Sequence, residues 1–233
     1  MQNHIDAGLT KAARVLPWSI SSLTAYETCP KRYYITRIQK AVTEPQTAAT
    51  LHGNEVHKAL ELAVKGTHGL PEKYRAYQPL VTKVLAGTGV KEAERKFALT
   101  ASFRPTDYWA KDAWVRGVID LTITKTKSAL VLDWKTGKPK SDADQLKLTA
   151  GVLFAEKPYV DRVRTGYVWL AHDKIVTEEY QRSEVPAIWQ EFVPRVARME
   201  RSLKLNDFPP RPSGLCREWC PVGRDRCEFC GKA

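Results

Sequence analysis

No run in this chain of 233 residues approaches the roughly twenty apolar residues that a membrane span requires. The opening stretch, MQNHIDAGLTKAARVLPW, lacks the apolar centre of a secretion signal. The expectation is a cytoplasmic protein with no membrane partner. No segment reads G-x-x-x-x-G-K-[ST], the glycine loop that cradles phosphates, which argues against a built-in ATP motor of that type. Nothing repeats, and no tract is of low complexity. Cysteine is scarce along most of the sequence: of five in all, Cys29 stands alone, and Cys216, Cys220, Cys227 and Cys230 crowd together. Thiols so close are unusual as disulfides in a reducing compartment and fit metal or cluster ligation better. Acidic residues are the minority, 26 Asp and Glu against 37 Lys and Arg, a formal charge of +11. That excess points to a polyanionic partner, with nucleic acid the leading candidate.

What is present is globular, at 43% hydrophobic and 27% charged residues, and long enough for one domain with appendages. Its organising stretch is WVRGVIDLTITKTKSALVLDWKTG, from Trp114 to Gly137. Two β-branched, apolar strands, Val115 to Thr124 and Ala129 to Trp134, flank the short polar segment Lys125 to Ser128, which predicts a hairpin. A tight loop sets Asp120 opposite Asp133. Facing carboxylates destabilise a strand pair, and more so where Ile119, Leu121, Val131 and Leu132 exclude water. A cation would relieve them. Lys135 is two residues beyond Asp133, so alternation points both to one side. Oxygen donors of this kind suit Mg²⁺ or Mn²⁺. Taken alone, Asp133 and Lys135 also read as an ordinary surface ion pair.

Around the hairpin, SISSLTAYET predicts a Ser-capped helix stopped at Pro30. LHGNEVHKALELAVKG predicts an amphipathic helix with Leu51, Val56, Leu60 and Val64 inward and with Gly53 and His57 on one face. Pro71 to Leu85 reads as helical, and Lys91 to Ser102 as a first strand. RPTDYWAK then exposes Tyr108 and Trp109, where bases could stack or a core could form. After the hairpin, ADQLKLTAGVLFAEK predicts a helix with Ser141 as N-cap. Val163 to Leu170 follows as a strand parallel to Ala129 to Trp134, with Lys174 to Tyr180 as its hairpin partner. A long basic helix interrupted by Pro186 and Pro194 comes next, before the Cys-rich tail.

The order of these motifs, CP-x-x-YY, G-x-x-x-H, GVID, D-x-K and Q-L, resembles the PD-(D/E)xK nucleases, and GVIDL with VLDWKTGK resembles their RecB-like exonuclease branch. The iron–sulfur-containing CRISPR-associated and AddB-type nucleases are similar. The resemblance implies an α/β, restriction-endonuclease-like αβββαβ core with a mixed central sheet flanked by helices. It suggests an arm at residues 1–17, a nuclease domain at 18–208 and a metal- or cluster-binding tail at 209–233 packed back on the core. It further implies hydrolysis of DNA by Asp120, Asp133, Lys135 and Gln145. Mg²⁺ or Mn²⁺ would be held by His57, Asp120, Asp133 and the main-chain carbonyl of Trp134, with Glu94 a secondary candidate.

A [4Fe–4S] cluster on Cys29, Cys216, Cys220 and Cys227 is implied as well, with Cys230 as the alternative ligand. A zinc site made from the four tail cysteines is the rival. The departures are Thr149, where the family usually has an aromatic, and a wider C-x-x-x-C spacing in the tail. The expected activity is exonucleolytic, in recombination, repair or processing, on single strands or duplex ends. A bacterial cytoplasm or a virus-infected cell would be the setting, and a separately encoded helicase or recombination protein a possible companion. The alternatives are a structure-specific endonuclease and a catalytically silent DNA-binding module.

Overall fold

In the computed structural model, which describes residues 16–139 and 143–231, a five-stranded sheet has the order β1-β2-β3-β4-β5. Its strands are β1 (Val90–Leu99), β2 (Val115–Thr124), β3 (Ser128–Lys135), β4 (Arg162–Trp169) and β5 (Lys174–Gln181). Neighbours pair antiparallel except β3 and β4, which run parallel. A parallel pair needs a crossover. Here it is the helix between them, whose residues Leu148, Ala150, Val152, Leu153 and Phe154 are all buried. The mixed sheet with flanking helices is the α/β architecture expected. Most of the arm, and Ser141 as a helix cap, lie outside the described residues.

The helices, in chain order, are α1 (Ile20–Thr28), α2 (Pro30–Tyr33), α3 (Ala48–Val64), α4 (Gln78–Leu85), the crossover α5 (Asp144–Glu156), α6 (Val185–Leu205) and the short α7 (Leu215–Glu218). Ser19 caps α1 by accepting the N–H of Ser22, whose side chain accepts the N–H of Ser19 in return. Cys29 is extended and ends α1, while Pro30 opens α2, where its missing N–H costs nothing. α1, α5 and α6 cover one face of the sheet around Trp18, Trp114, Trp189 and Phe192. α3 and α4 cover the other with Val56, Leu60 and Val81. Arg195 on α6 joins three elements, forking onto Glu27 of α1 at 2.8 and 2.7 Å and reaching Asp144 of α5 at 2.6 Å.

β1 and β2 change faces midway. Side chains two apart in a regular strand share a face, yet Ile119 packs in the α5/α6 core and Leu121 in the α3/α4 core. The change falls where the ladder passes from Arg95–Ile119 to Ala93–Leu121, omitting the step at which Glu94 meets Asp120. Glu94 has φ +50°, a left-handed conformation that costs an L-residue about 1–2 kcal/mol. Both carboxylates therefore sit at a seam between two cores.

Two expectations are corrected. Leu51 is 48% exposed, because α3 meets the sheet only from its second turn onward; Val56, Ala59 and Leu60 carry the contact. α6 is not interrupted by its prolines: it runs 21 residues through Pro194. Pro186 falls in the first turn, where no N–H is needed. Pro194 deprives Gln190 of its helical donor, and Gln190 is on the exposed side, where the carbonyl is open to solvent.

Candidate active site

Three donors converge at the seam. His57 of α3, Glu94 of β1 and Asp120 of β2 each offer one ligand atom, and these atoms lie within 4.8 Å of one another. His57 Nδ1 is 3.4 Å from Asp120 Oδ2, and the same oxygen accepts the main-chain N–H of Trp134 at 2.8 Å. The β2–β3 ladder stops one step short, at Leu121–Leu132. Asp120 thus takes a backbone donor that a further pair would have used, and Asp133 is the next residue along that register. Gly53 is one turn before His57. A Cβ there would stand 3.6 Å from Thr136 Oγ1, an ordinary contact, so the position admits a close approach without demanding it.

Asp133, Lys135 and Gln145 form a second, adjoining group. Lys135 Nζ is 2.6 Å from Asp133 Oδ2 and donates to Gln145 Oε1 at 3.1 Å, while Gln145 Nε2 donates to Asp133 Oδ1. Lys135 also lies over the ring of Tyr167, 5.0 Å from its centroid. Gln145 begins α5 beside Asp144, which Arg195 anchors, so the ion pair between α5 and α6 fixes where Gln145 points.

The charges are unbalanced in a way that favours a cation. Burial, then the charge of Asp120, raises the Asp133 carboxyl to about 6. The same two causes raise Glu94. For His57, burial works to lower the pKa, but the hydrogen bond and charge of Asp120, helped by Asp133 and Glu94, outweigh it and raise it. An open cleft of about 540 Å³ leads to His57, Glu94 and Asp120 and is walled also by Asn54, Glu61 and Thr136. Two carboxylates and an imidazole at the floor of a wet cleft are a donor set suited to Mg²⁺ or Mn²⁺.

Of the sequence-derived site residues, His57, Glu94 and Asp120 come together, and Asp133, Lys135 and Gln145 form the neighbouring group. Trp134 contributes its N–H to Asp120, and its side chain is core. Sequence reading did not find Asn54, Thr136 or Tyr167. The first two adjoin Gly53 and Lys135, and the parallel register pairs Tyr167 with Asp133, so adjacency and topology were the available signals.

All five cysteines line one small pocket where the α1–α2 corner meets the tail, together with Arg32, Arg211 and Phe229. Cys29 Sγ accepts the N–H of Arg211 and Cys216 Sγ that of Ser213, both at 3.4 Å. Cys230 donates to the carbonyl of Cys220 at 3.4 Å. Desolvation pushes the Cys220 thiol up. Among the described residues, no three of these sulfurs are mutually within 4.8 Å.

A family model described as the PD-(D/E)XK nuclease superfamily matches residues 17–228. No curated protein matches the sequence. Among solved structures, a candidate exonuclease from Eubacterium rectale superposes with a TM-score of 0.57 at 11% identity, covering 94% of this chain and 92% of its own. The structure of SSO0001 superposes with a TM-score of 0.47 at 15% identity over 92% and 87% of the two chains.

Proposed function

Since the chain belongs to the PD-(D/E)XK nuclease superfamily, we propose that it is a divalent-metal-dependent deoxyribonuclease of the RecB-like branch, acting as an exonuclease on DNA. The observation that carries this reading is the convergence of His57, Glu94 and Asp120 beside the Asp133–Lys135–Gln145 group. The net charge of +11 suits a DNA substrate, and the fold is shared with a structure described as a candidate exonuclease.

His57, Glu94 and Asp120, with Asp133 and the carbonyl of Trp134 at the margin, would hold Mg²⁺ or Mn²⁺. Such an ion polarises the phosphate and lowers the pKa of water. Lys135 is held between Asp133 and Gln145, which fixes its ammonium beside the metal donors without a search through rotamers. There it would stabilise charge that develops on the phosphate oxygens. Asp133 pairs with Lys135 through Oδ2 and accepts from Gln145 through Oδ1, so it would serve the ion through a remaining lone pair. Gln145 orients both. End-labelled linear and closed circular single-stranded DNA, incubated with Mg²⁺ or EDTA, test the assignment. Loss of linear DNA alone, requiring metal and Lys135, is expected; cleaved circles would make the protein an endonuclease, and binding without cleavage a silent DNA-binding module.

The cysteine pocket we read as a structural [4Fe–4S] site on Cys29, Cys216, Cys220 and Cys227. Backbone N–H groups pointing at the Cys29 and Cys216 sulfurs suit thiolate ligands, and Cys230 stands as the alternative ligand. A single zinc ion with Zn–S bonds of about 2.3 Å would need its sulfurs about 3.8 Å apart. Iron and acid-labile sulfide analysis of protein purified without oxygen distinguishes the two.

A further inference from the structure

One group of side chains on the sheet has no part in the metal site. Trp109 is 73% exposed, in the connection between β1 and β2. Tyr108 meets it edge-on, with ring centroids 4.8 Å apart. Arg116 of β2 lies 5.0 Å from the Trp109 ring and 5.3 Å from that of Tyr108, and Lys96 of β1 is 5.4 Å from Tyr108. Two cations thus hold two aromatic rings, one of which keeps most of its surface in water.

The position of this group follows from the strands. Gly117 faces the Phe97 ring, which belongs to the α5/α6 core. Lys96, Arg116 and Val118, one residue out of phase, face the opposite side, where His57 and α3 lie. Arg116 is four residues from Asp120 on one strand, about 13 Å at 3.3 Å per residue. A few linked nucleotides span that distance.

We propose that Trp109, with Tyr108, Arg116 and Lys96, is a stacking platform for an unpaired base of single-stranded DNA whose backbone continues to the cleft at Asp120. This rests on the nuclease reading for the position of the reacting phosphate but not for the binding itself. An exposed indole offers a face that any base can cover, and only unpaired bases can reach it. Arg116 and Lys96, already cationic and partly wet, add attraction for the phosphates on either side of that base. The charge matches a polyanion, and the rings match what a duplex hides, so the platform selects single strands or frayed ends over intact duplex.

The test is binding of a short fluorescein-labelled oligodeoxythymidylate and of a blunt duplex, in EDTA so that nothing is cut, by wild type, Trp109→Ala and Trp109→Phe. Stacking of one base predicts a dissociation constant about tenfold higher for Trp109→Ala on the single strand. Trp109→Phe should recover most of the loss, and the duplex should be unaffected. Thermal melting should not change, since the side chain is exposed. Equal single-strand affinity of wild type and Trp109→Ala overturns the proposal, as does an equal loss on duplex. The two readings fail separately. Single-strand binding through Trp109 with no Mg²⁺-dependent cleavage removes the nuclease and keeps the platform; cleavage with affinity unchanged by Trp109→Ala removes the platform and keeps the nuclease.

Discussion

Asp120 is fixed by the strand beside it: its Oδ2 accepts the Trp134 N–H at 2.8 Å while lying 3.4 Å from His57 Nδ1. A carboxylate that accepts a backbone donor is oriented before any metal arrives, so little rearrangement accompanies binding. Through His57 the carboxylate also links the hairpin to α3. Asp120→Asn should therefore abolish Mg²⁺-dependent cleavage while the fold persists, because an amide oxygen still accepts the Trp134 N–H. A circular dichroism melt beside the cleavage assay checks both halves. Lys135→Ala should slow cleavage by about a hundredfold or more while weakening Mn²⁺ binding little.

Asp133 carries a pH signature. Its pKa is raised to about 6 from an ordinary 3.8, so the folded metal-free protein holds this proton more tightly than the unfolded chain does. Stability from this group is complete below about pH 4 and is lost as pH rises to about 6, at most about 3 kcal/mol. Asp133→Asn removes the titration. In EDTA its melting temperature should exceed that of wild type by a margin that opens between about pH 4 and about pH 6 and stays level above. Saturating Mn²⁺ should close the margin by stabilising wild type. A margin that does not vary with pH would contradict this account.

Glu94 combines a raised carboxyl with a left-handed backbone. Glu94→Gly should relieve about 1 kcal/mol of backbone strain and remove a metal donor. The variant is expected to melt higher without metal and to bind Mn²⁺ more weakly in titration calorimetry. Strain at a proposed ligand position fits a site in which the functional geometry overrides the local preference.

Gly117, in the GVID motif, is confined by its cross-strand neighbour. A Cβ there would stand 2.7 Å from Phe97 Cζ and 2.8 Å from Cε1, and Phe97 is buried. Gly117→Ala should cost about 1–3 kcal/mol through overpacking, measured by urea unfolding. Phe97→Leu in the same chain should restore part of it.

How much of this could be read from the sequence depends on the range of the interaction. Asp120, Asp133 and Lys135 were legible because strand alternation and a short loop fix their relation within sixteen residues of chain. The parallel strand and its crossover helix were legible for the same reason. Glu94 was ambiguous, since nothing about a glutamate in KEAERKF announces a positive φ or a switch of faces; both arise from how two cores share one pair of strands. Leu51 has the right helical phase and the wrong height on the helix, a matter of where the sheet ends. Trp109 could not be told from a core aromatic until its loop was placed. The fold and family followed from motif order, whereas the gathering of Cys29 with the tail cysteines turns on contacts between distant segments.

If the cysteine pocket holds the proposed centre, its removal should act on stability before chemistry. Cys216→Ala is expected to lower iron content and melting temperature, while residual folded protein still cleaves with Mg²⁺. Normal iron content and melting would assign the site to other residues.

The contact between Arg211 and Cys29 joins positions 182 residues apart. A chain fastened in this way cannot complete its first helix's surroundings as it leaves the ribosome. The α1–α2 corner must wait until the tail has been made. If the centre is also a cluster, its assembly follows synthesis of the tail, and the supply of iron decides how much newly made protein matures.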